Sequence, residues 1–409
     1  YQAIMTFQQV IDKYRKIAFS EHDKGSRFER LMQAYLKTDP KYAYLFKNVW
    51  LWDEFPGKVD LGGTDTGIDL VALTHEGDYW AIQCKCYQED SIIDKPAVDT
   101  FLATSSRVFK NEQMQTTRFA HRLWISTTNK WGSNATEAIH NQHPPVIRIN
   151  LFDLIEAPVD WKKIEAGVHG EAARTPKKTL RPHQKEALDR VHEYFKEADR
   201  GKLIMACGTG KTFNALRIAE HETDGKGLIL FLVPSIALLG QSLREWSADA
   251  NKPINAICIC SDPEISRRRT KNEDTDIFSI VDLALPASTD TDFILHQFEE
   301  IKAKALAGMT VVFSTYQSIE VLARAQKAWM KKGFPEFDLI ICDEAHRTTG
   351  VSLAGEDESA FIKVHDGDFI KAKKRLYMTA TPRLYSDDVK SKAAQAEAIL
   401  CSMDDTSLY

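Results

Sequence analysis

The spacing of apolar residues changes character several times along the chain. Residues 7–18 carry Phe7, Val10, Ile11, Tyr14, Ile17 and Ala18 at helical intervals. A second stripe, Phe28, Leu31, Met32, Tyr35 and Leu36, predicts a helix from about Ser26. Strand-like runs follow at 68–73, 79–87 and 123–127, and a further helix is expected from Ser133. Residues 166–179 are small, polar and basic without any period, which predicts a linker. Beyond it, Ala187, Leu188, Val191, Tyr194 and Phe195 fall on one helical face. Apolar runs at 203–206, 228–233, 311–314, 339–342 and 376–379 then alternate with helical patterns. Runs that are apolar on both faces and separated by helices predict buried parallel strands. The expected fold is therefore α/β throughout, with one domain over 1–165, a linker over 166–179 and a second domain over 180–409.

Bulk composition narrows the picture only slightly. A chain of 409 residues has room for two or three domains. Its 43% hydrophobic and 27% charged content is that of an ordinary globular protein. No apolar run approaches the roughly 20 residues of a membrane helix, and no signal segment opens the chain. The seven cysteines, Cys84, Cys86, Cys207, Cys258, Cys260, Cys342 and Cys401, show no paired zinc spacing. Reduced thiols in a cytoplasm are the expectation. The net charge of −5 argues against a polycation. Contact with nucleic acid would then use local patches: Arg267, Arg268 and Arg269 with Lys271, or Lys371 with Lys373, Lys374 and Arg375. Solvated faces are the alternative reading of both.

The first chemical pattern lies in the second domain. The run 203–206 feeds a glycine-rich turn, Cys207-Gly208-Thr209-Gly210, and then Lys211-Thr212 at the start of a helix. Gly208 and Gly210 let successive N–H groups face phosphate oxygens. Lys211 reaches the outer phosphates of ATP and the Thr212 hydroxyl ligates Mg²⁺. Met205 stands where the strict pattern has glycine. Downstream, Asp343-Glu344 ends an apolar run, the place where doubly wound sheets hold ligands. Asp343 suits Mg²⁺ and Glu344 suits the attacking water.

The second pattern lies in the first domain. Asp69 and the pair Gln83 and Lys85 flank a turn at 74–78. A hairpin centred near Glu76 sets Asp69 opposite Gln83, and alternation puts Gln83 and Lys85 on one face. Asp69 and the Gln83 oxygen would bind a hard divalent cation, Mg²⁺ or Mn²⁺. Lys85 would steady the water or the phosphate charge. An exposed hairpin with ordinary polar residues is the alternative. Glu29 has two readings: a further metal or water contact, or the third position of a capping box begun by Ser26.

The motor motifs and their order resemble the first RecA-like domain of superfamily-two helicases and translocases. Besides the residues above, Arg181-Pro182-His183-Gln184 resembles the adenine-reading element, with Gln184 on the base. Val233-Pro234-Ser235 and Ser314-Thr315-Tyr316-Gln317 resemble segments that touch the nucleic-acid backbone. Asp343-Glu344-Ala345-His346 is a DEAH box, and Thr379-Ala380-Thr381-Pro382 resembles the coupling motif. The last arginine is Arg383, so the partner domain and its arginine finger are expected on a longer polypeptide. The chain alone is then expected to bind ATP and turn it over slowly.

Gly25-Ser26-Arg27-Phe28-Glu29, the run Thr64 to Leu70 and Ile82-Gln83-Cys84-Lys85 resemble the Mrr-like branch of the PD-(D/E)xK nucleases. Nuclease followed by motor resembles the N-terminal part of single-chain Type ISP restriction-modification enzymes. That resemblance implies translocation on double-stranded DNA and metal-dependent cleavage, with a methyltransferase and a target-recognition domain on the same polypeptide. It also implies a bacterial cytoplasm and no membrane. Two alternatives stay open: a stand-alone helicase-nuclease of defence or repair, and a DNA-remodelling ATPase whose first domain binds DNA without cutting.

Overall fold

The structure is a computed structural model that describes residues 5–63, 66–262, 279–304, 308–352, 360–396 and 398–409. Asp65 and the Arg267 to Lys271 patch lie outside the described residues. The chain divides into two compact units. One comprises Tyr1–Pro176 with Val281–Pro286, the other Lys177–Ile280 with Ala287–Tyr409.

The first unit opens with α1 (Phe7–Ile17), α2 (Glu21–Leu36) and α3 (Pro40–Ala43). Strands β1 (Phe46–Leu51), β2 (Leu70–Thr74) and β3 (Tyr79–Lys85) follow, then α4 (Lys95–Ser105). Next come β4 (Val108–Lys110), β5 (Thr116–Ser126), α5 (Ser133–Ile139) and β6 (Val146–Ile149). Helices α6 (Leu151–Ile155) and α7 (Trp161–Glu165) complete it. The sheet runs β1-β2-β3-β5-β4, with β6 also on β5. The β1-β2-β3 meander is antiparallel, whereas β3, β5 and β6 are parallel neighbours.

Alternation along the strands divides the interior. Leu70, Ala72, Trp80, Ile82, Leu123 and Ile125 pack with α1 and α2 residues such as Val10, Phe28 and Met32. Val71, Leu73, Tyr79, Ala81 and Trp124 face the other way, onto Val98 and Phe101 of α4 and Ile139 of α5. Each buried Val, Leu, Ile or Phe contributes about 1.5–3 kcal/mol of transfer free energy. The central strands are therefore held from both faces.

Two expectations are corrected here. Helix α2 begins at Glu21 rather than near Ser26, because Ser20 caps it by accepting the Asp23 N–H at 3.1 Å. The first turn is polar, so the apolar stripe conceals it. Ser26 and Glu29 consequently sit inside the helix, and no capping box joins them. The stretch 166–179 also departs from a free linker. It holds a 3-10 turn (Gly170–Ala173) with Ala173 fully buried, and the Arg174 guanidinium lies over the Tyr44 ring. The boundary between units falls at Pro176.

The second unit contains α8 (Pro182–Tyr194), β7 (Arg200–Ile204), α9 (Lys211–Thr223), β8 (Leu228–Val233) and α10 (Ile236–Asp249). It continues with β9 (Asn255–Ile259), α11 (Thr291–Lys304), β10 (Thr310–Thr315), α12 (Ile319–Lys331) and β11 (Phe337–Cys342). Then come β12 (Gly350–Ser352), β13 (Ala372–Thr379), α13 (Asp387–Gln395) and β14 (Ile399–Cys401). The main sheet is parallel, in the order β7-β13-β11-β8-β10-β9. All five apolar runs expected as strands contribute to it, although the run 203–206 is strand only as far as Ile204. Strand β9 was not foreseen.

The basic run at the start of β13 is used inside this unit. Lys373 pairs with Asp338 at 2.9 Å and Lys374 with Glu222 at 2.8 Å. Arg375 is buried and donates to the carbonyls of Val364 and Ile370. That favours the structural reading of this patch over direct DNA contact. Among the described residues, no helix is long and apolar enough to cross a membrane.

Candidate active sites of the two units

In the first unit, pairing of Leu70 with Ile82 sets Asp69 across from Gln83, the register the turn predicts. The Asp69 N–H donates to the Ile82 carbonyl at 2.9 Å, and its carbonyl accepts from Trp52 N–H at 2.8 Å. The carboxylate is thus fixed by backbone on both sides. Its Oδ2 accepts the Cys84 N–H at 2.7 Å and a further bond from the Gln83 side-chain nitrogen. Gln83 is 1% exposed, and its Oε1 lies beside Gly67. The side chain expected to offer its oxygen to a metal therefore presents its nitrogen to Asp69 and orients it. A half-turn of the amide would exchange these roles.

Glu29 reaches the same place from the middle of α2. Burial pushes its carboxyl up to about 7, the Asp69 charge pushes the same way, and Lys85 opposes them. Burial also raises the Cys84 thiol, helped by Asp69 and Glu29, so Cys84 stays an inert thiol. Glu29, Asp69, Gln83 and Lys85 therefore share one electrostatic neighbourhood. Two carboxylates that repel each other beside a single lysine are a donor set that a divalent cation would satisfy. Asp60 is spent elsewhere, accepting the Lys110 N–H at 2.8 Å.

In the second unit, β7 runs into the loop 205–210, and α9 begins at Lys211. Gly208 and Gly210 have φ of 75° and 84°, a region open to glycine at little cost. Cys207 and Gly208 are exposed, while Lys211 and Thr212 are half-buried. The Lys211 ammonium bonds the Met205 carbonyl at 3.4 Å. Behind the loop, Gln184 is 5% exposed. Its oxygen accepts the Arg181 N–H at 2.9 Å and its nitrogen donates to the Thr209 carbonyl at 2.8 Å. A Cβ on Gly210 would lie 2.4 Å from that nitrogen. Gln184 is thus a brace under the loop, a role its place in the motif did not reveal.

Asp343 follows β11, held by its N–H to the Leu232 carbonyl at 2.9 Å. Burial pushes its carboxyl up to about 6, against the pull of the Glu344 N–H and of Lys211. Glu344 has φ of 48°, rare for a residue with a side chain, and lies 3.5 Å from His346. His346 Nδ1 is 2.9 Å from the Thr379 hydroxyl, and the Thr379 carbonyl accepts the Met205 N–H at 3.1 Å. The loop, the DEAH segment and the Thr379 segment are thus tied at the carboxyl ends of adjacent strands β7, β13 and β11. The Tyr316 hydroxyl donates to the Asp343 carbonyl at 2.7 Å, and Gln317 donates to the Pro234 carbonyl at 3.2 Å. These links join distant segments, so no local spacing could have announced them. A cavity of about 750 Å³ opens beside the loop, lined by His183, Arg190, Tyr194, Thr209 and Tyr409 among others. An exposed glycine-rich turn at a helix start, a lysine and a buried carboxylate suit a nucleotide with its cation.

Comparison with known proteins agrees with both halves. Residues 37–171 match the family described as "Restriction endonuclease", and residues 177–384 match the family described as "Type III restriction enzyme, res subunit". The chain is 31% identical over 205 residues to a probable helicase of African swine fever virus (isolate Tick/Malawi/Lil 20-1/1983), covering 50% of this chain and 19% of that protein. It superposes on the DNA-bound structure of the ATP-dependent Type ISP restriction-modification enzyme LlaBIII with a TM-score of 0.75 and 37% identity. That match covers 99% of this chain and 24% of LlaBIII. A nuclease-deletion mutant of the Type ISP enzyme LlaGI, in complex with a DNA substrate mimic, matches at 39% identity over 57% of this chain and 19% of that one, with a TM-score of 0.43. The chain therefore spans about a quarter or less of the length of these relatives. It belongs to the family of the Type III restriction enzyme res subunit, and it carries a restriction-endonuclease domain ahead of that helicase-like domain, as Type ISP restriction-modification enzymes do.

Proposed function

We propose that this chain is the cutting and first motor part of an enzyme that moves on double-stranded DNA using ATP and hydrolyses its backbone. The observation that carries this reading is the pairing of two separate sites. Glu29, Asp69 and Lys85 converge in one unit, and the loop 205–212 meets Asp343 and Glu344 in the other. In the first, Asp69 and Glu29 hold Mg²⁺ or Mn²⁺, Gln83 sets the Asp69 carboxylate, and Lys85 faces the scissile phosphate. The cation supplies Lewis acidity and a more acidic bound water. In the second, the N–H groups of Cys207 to Gly210 and the Lys211 ammonium bind the phosphates of ATP, while Thr212 and Asp343 hold Mg²⁺. Glu344 orients water, and Gln184 transmits the presence of the base to the loop through Thr209. His346 and Thr379 pass the state of the phosphates toward the DNA-contacting segments near Pro234 and Gln317. A methyltransferase and a target-recognition domain on the same polypeptide, in a bacterial cytoplasm, complete the proposal.

The test is DNA cleavage with Mg²⁺ and ATP by the full polypeptide and by its Asp69→Ala variant. Loss of cutting with retained ATP hydrolysis is expected. Undiminished cutting would reject the assignment of Asp69, whereas a parent that does not cut with Mg²⁺ would leave the first unit as a DNA-binding module.

A further inference from the structure

The far end of helix α9 carries a cluster that neither site uses. His221 and Glu222 lie in its last turn, and His192 lies in the last turn of α8. Their side-chain donor atoms all fall within 4.8 Å of one another. His192 Nδ1 stands 3.3 Å from Glu222 Oε1, and the two imidazole rings meet edge to face at 4.2 Å. We infer that His192, His221 and Glu222 form a binding site for a borderline divalent transition-metal cation, of the Zn²⁺, Co²⁺ or Ni²⁺ class.

The chemistry and the geometry agree on that class. Two imidazoles and one carboxylate are donors that favour these ions over Mg²⁺. With metal–ligand bonds of about 2.0–2.1 Å, a tetrahedron has edges of about 3.3–3.4 Å, the separation already present between His192 and Glu222. His221 is exposed, so its ring can turn inward and a fourth position stays open to water. Helices α8 and α9 both end here, and their terminal carbonyls favour a cation. Lys374 now supplies positive charge at this point, holding Glu222 Oε2 at 2.8 Å and leaving Oε1 toward His192. The cluster lies ten residues beyond Lys211 on α9, about 15 Å at 1.5 Å per residue, so it is separate from the nucleotide's own cation. A bound ion would pin α8 to α9 and so fix the helix that leads from the phosphate loop.

Co²⁺ titration of the Asp69→Ala chain, which lacks the nuclease ligand, reads this site directly. Visible absorption of a nitrogen- and oxygen-ligated, four- or five-coordinate ion is expected, at one ion per chain. His192→Ala and His221→Ala should each weaken binding by at least about 100-fold, the upper end of what loss of mere supporting contacts costs. Lys374→Ala should tighten it, because Glu222 then has both oxygens free. Affinity unchanged in both histidine variants, or sulfur-to-metal charge-transfer bands, would overturn the assignment. His192 and Glu222 would then be a hydrogen-bonded pair only. Should a histidine variant fail to fold, unchanged or weaker binding in Lys374→Ala overturns it equally.

Discussion

The two sites solve different problems with different parts of the backbone. In the first unit the chemistry hangs on side chains of a hairpin and a crossing helix, packed close enough that Glu29 feels Asp69 and Lys85. In the second, the proposed phosphate cradle is an exposed backbone loop, with Asp343, Thr379 and the Gln184 brace buried behind it. The first is a concentration of charge whose repulsion a cation relieves. The second is a shape held open by Gln184, Thr379 and His346. Substitutions that alter charge should therefore dominate in the nuclease unit, and substitutions that alter backbone shape should matter as much as charge in the motor unit.

The largest expected effect is that of Asp69→Ala. It removes the carboxylate on which the hairpin converges, so DNA cleavage should fall by more than the 10–100-fold typical of losing a supporting contact. Nucleotide binding, measured by fluorescent-ATP titration, should not change. A matching loss of ATP binding would break the separation of the two sites.

Next is Gly210→Ala, with Lys211→Ala as its charge counterpart. The first forces a Cβ onto a left-handed residue, at about 1–2 kcal/mol, and onto the Gln184 nitrogen 2.4 Å away. The second removes a charged contact to phosphate, worth about 1.5–3 kcal/mol. Both should reduce ATP affinity in equilibrium titration. If only Lys211→Ala does so, the loop is less fixed in shape than argued.

A third, smaller effect concerns pH. The Glu29 carboxyl sits at about 7 in the fold against an ordinary value of 4.5. Below about 4.5 it is protonated in both folded and unfolded chains. As pH rises from there through about 7, only the unfolded chain ionises freely, so the metal-free fold loses stability across that window. Glu29→Gln should flatten that part of the urea-midpoint profile. Saturating Mn²⁺ should reverse the slope in the parent, because the cation stabilises the ionised form. An unchanged profile in the variant would remove Glu29 from the site.

The smallest effect tests the helix that delivers Glu29. Ser20→Ala removes the cap of α2 and should cost about 1 kcal/mol in chemical denaturation. Ser26→Ala should cost much less, because Ser26 lies inside the helix. Equal costs would restore the later helix start.

How far the sequence disclosed each site follows from the same contrast. The proposed phosphate loop is contiguous, so Gly208, Gly210, Lys211 and Thr212 suggested it, and the doubly apolar strands placed it at a sheet end. The proposed nuclease site draws on 29, 69, 83 and 85, and only the hairpin half could be aligned by counting. Glu29 stayed ambiguous because a polar first turn hid the start of α2. The direction of the Gln83 amide, the Gln184 brace and the His346 to Thr379 link depend on tertiary contacts that no periodicity carries. Strand β9 and the folded stretch at 170–174 escaped notice because short segments bury too few residues to set a pattern.

Equilibrium Mn²⁺ binding, followed by the signal of the free ion in chains that all carry His192→Ala, either alone or with Asp69→Ala or Lys211→Ala, with and without ATP, tests the central claim most directly. The account predicts one cation bound without ATP that is lost in Asp69→Ala and kept in Lys211→Ala. It predicts a second, bound only with ATP, showing the opposite pattern. A nucleotide-independent cation that survives Asp69→Ala unchanged, or one lost in both variants, would contradict it.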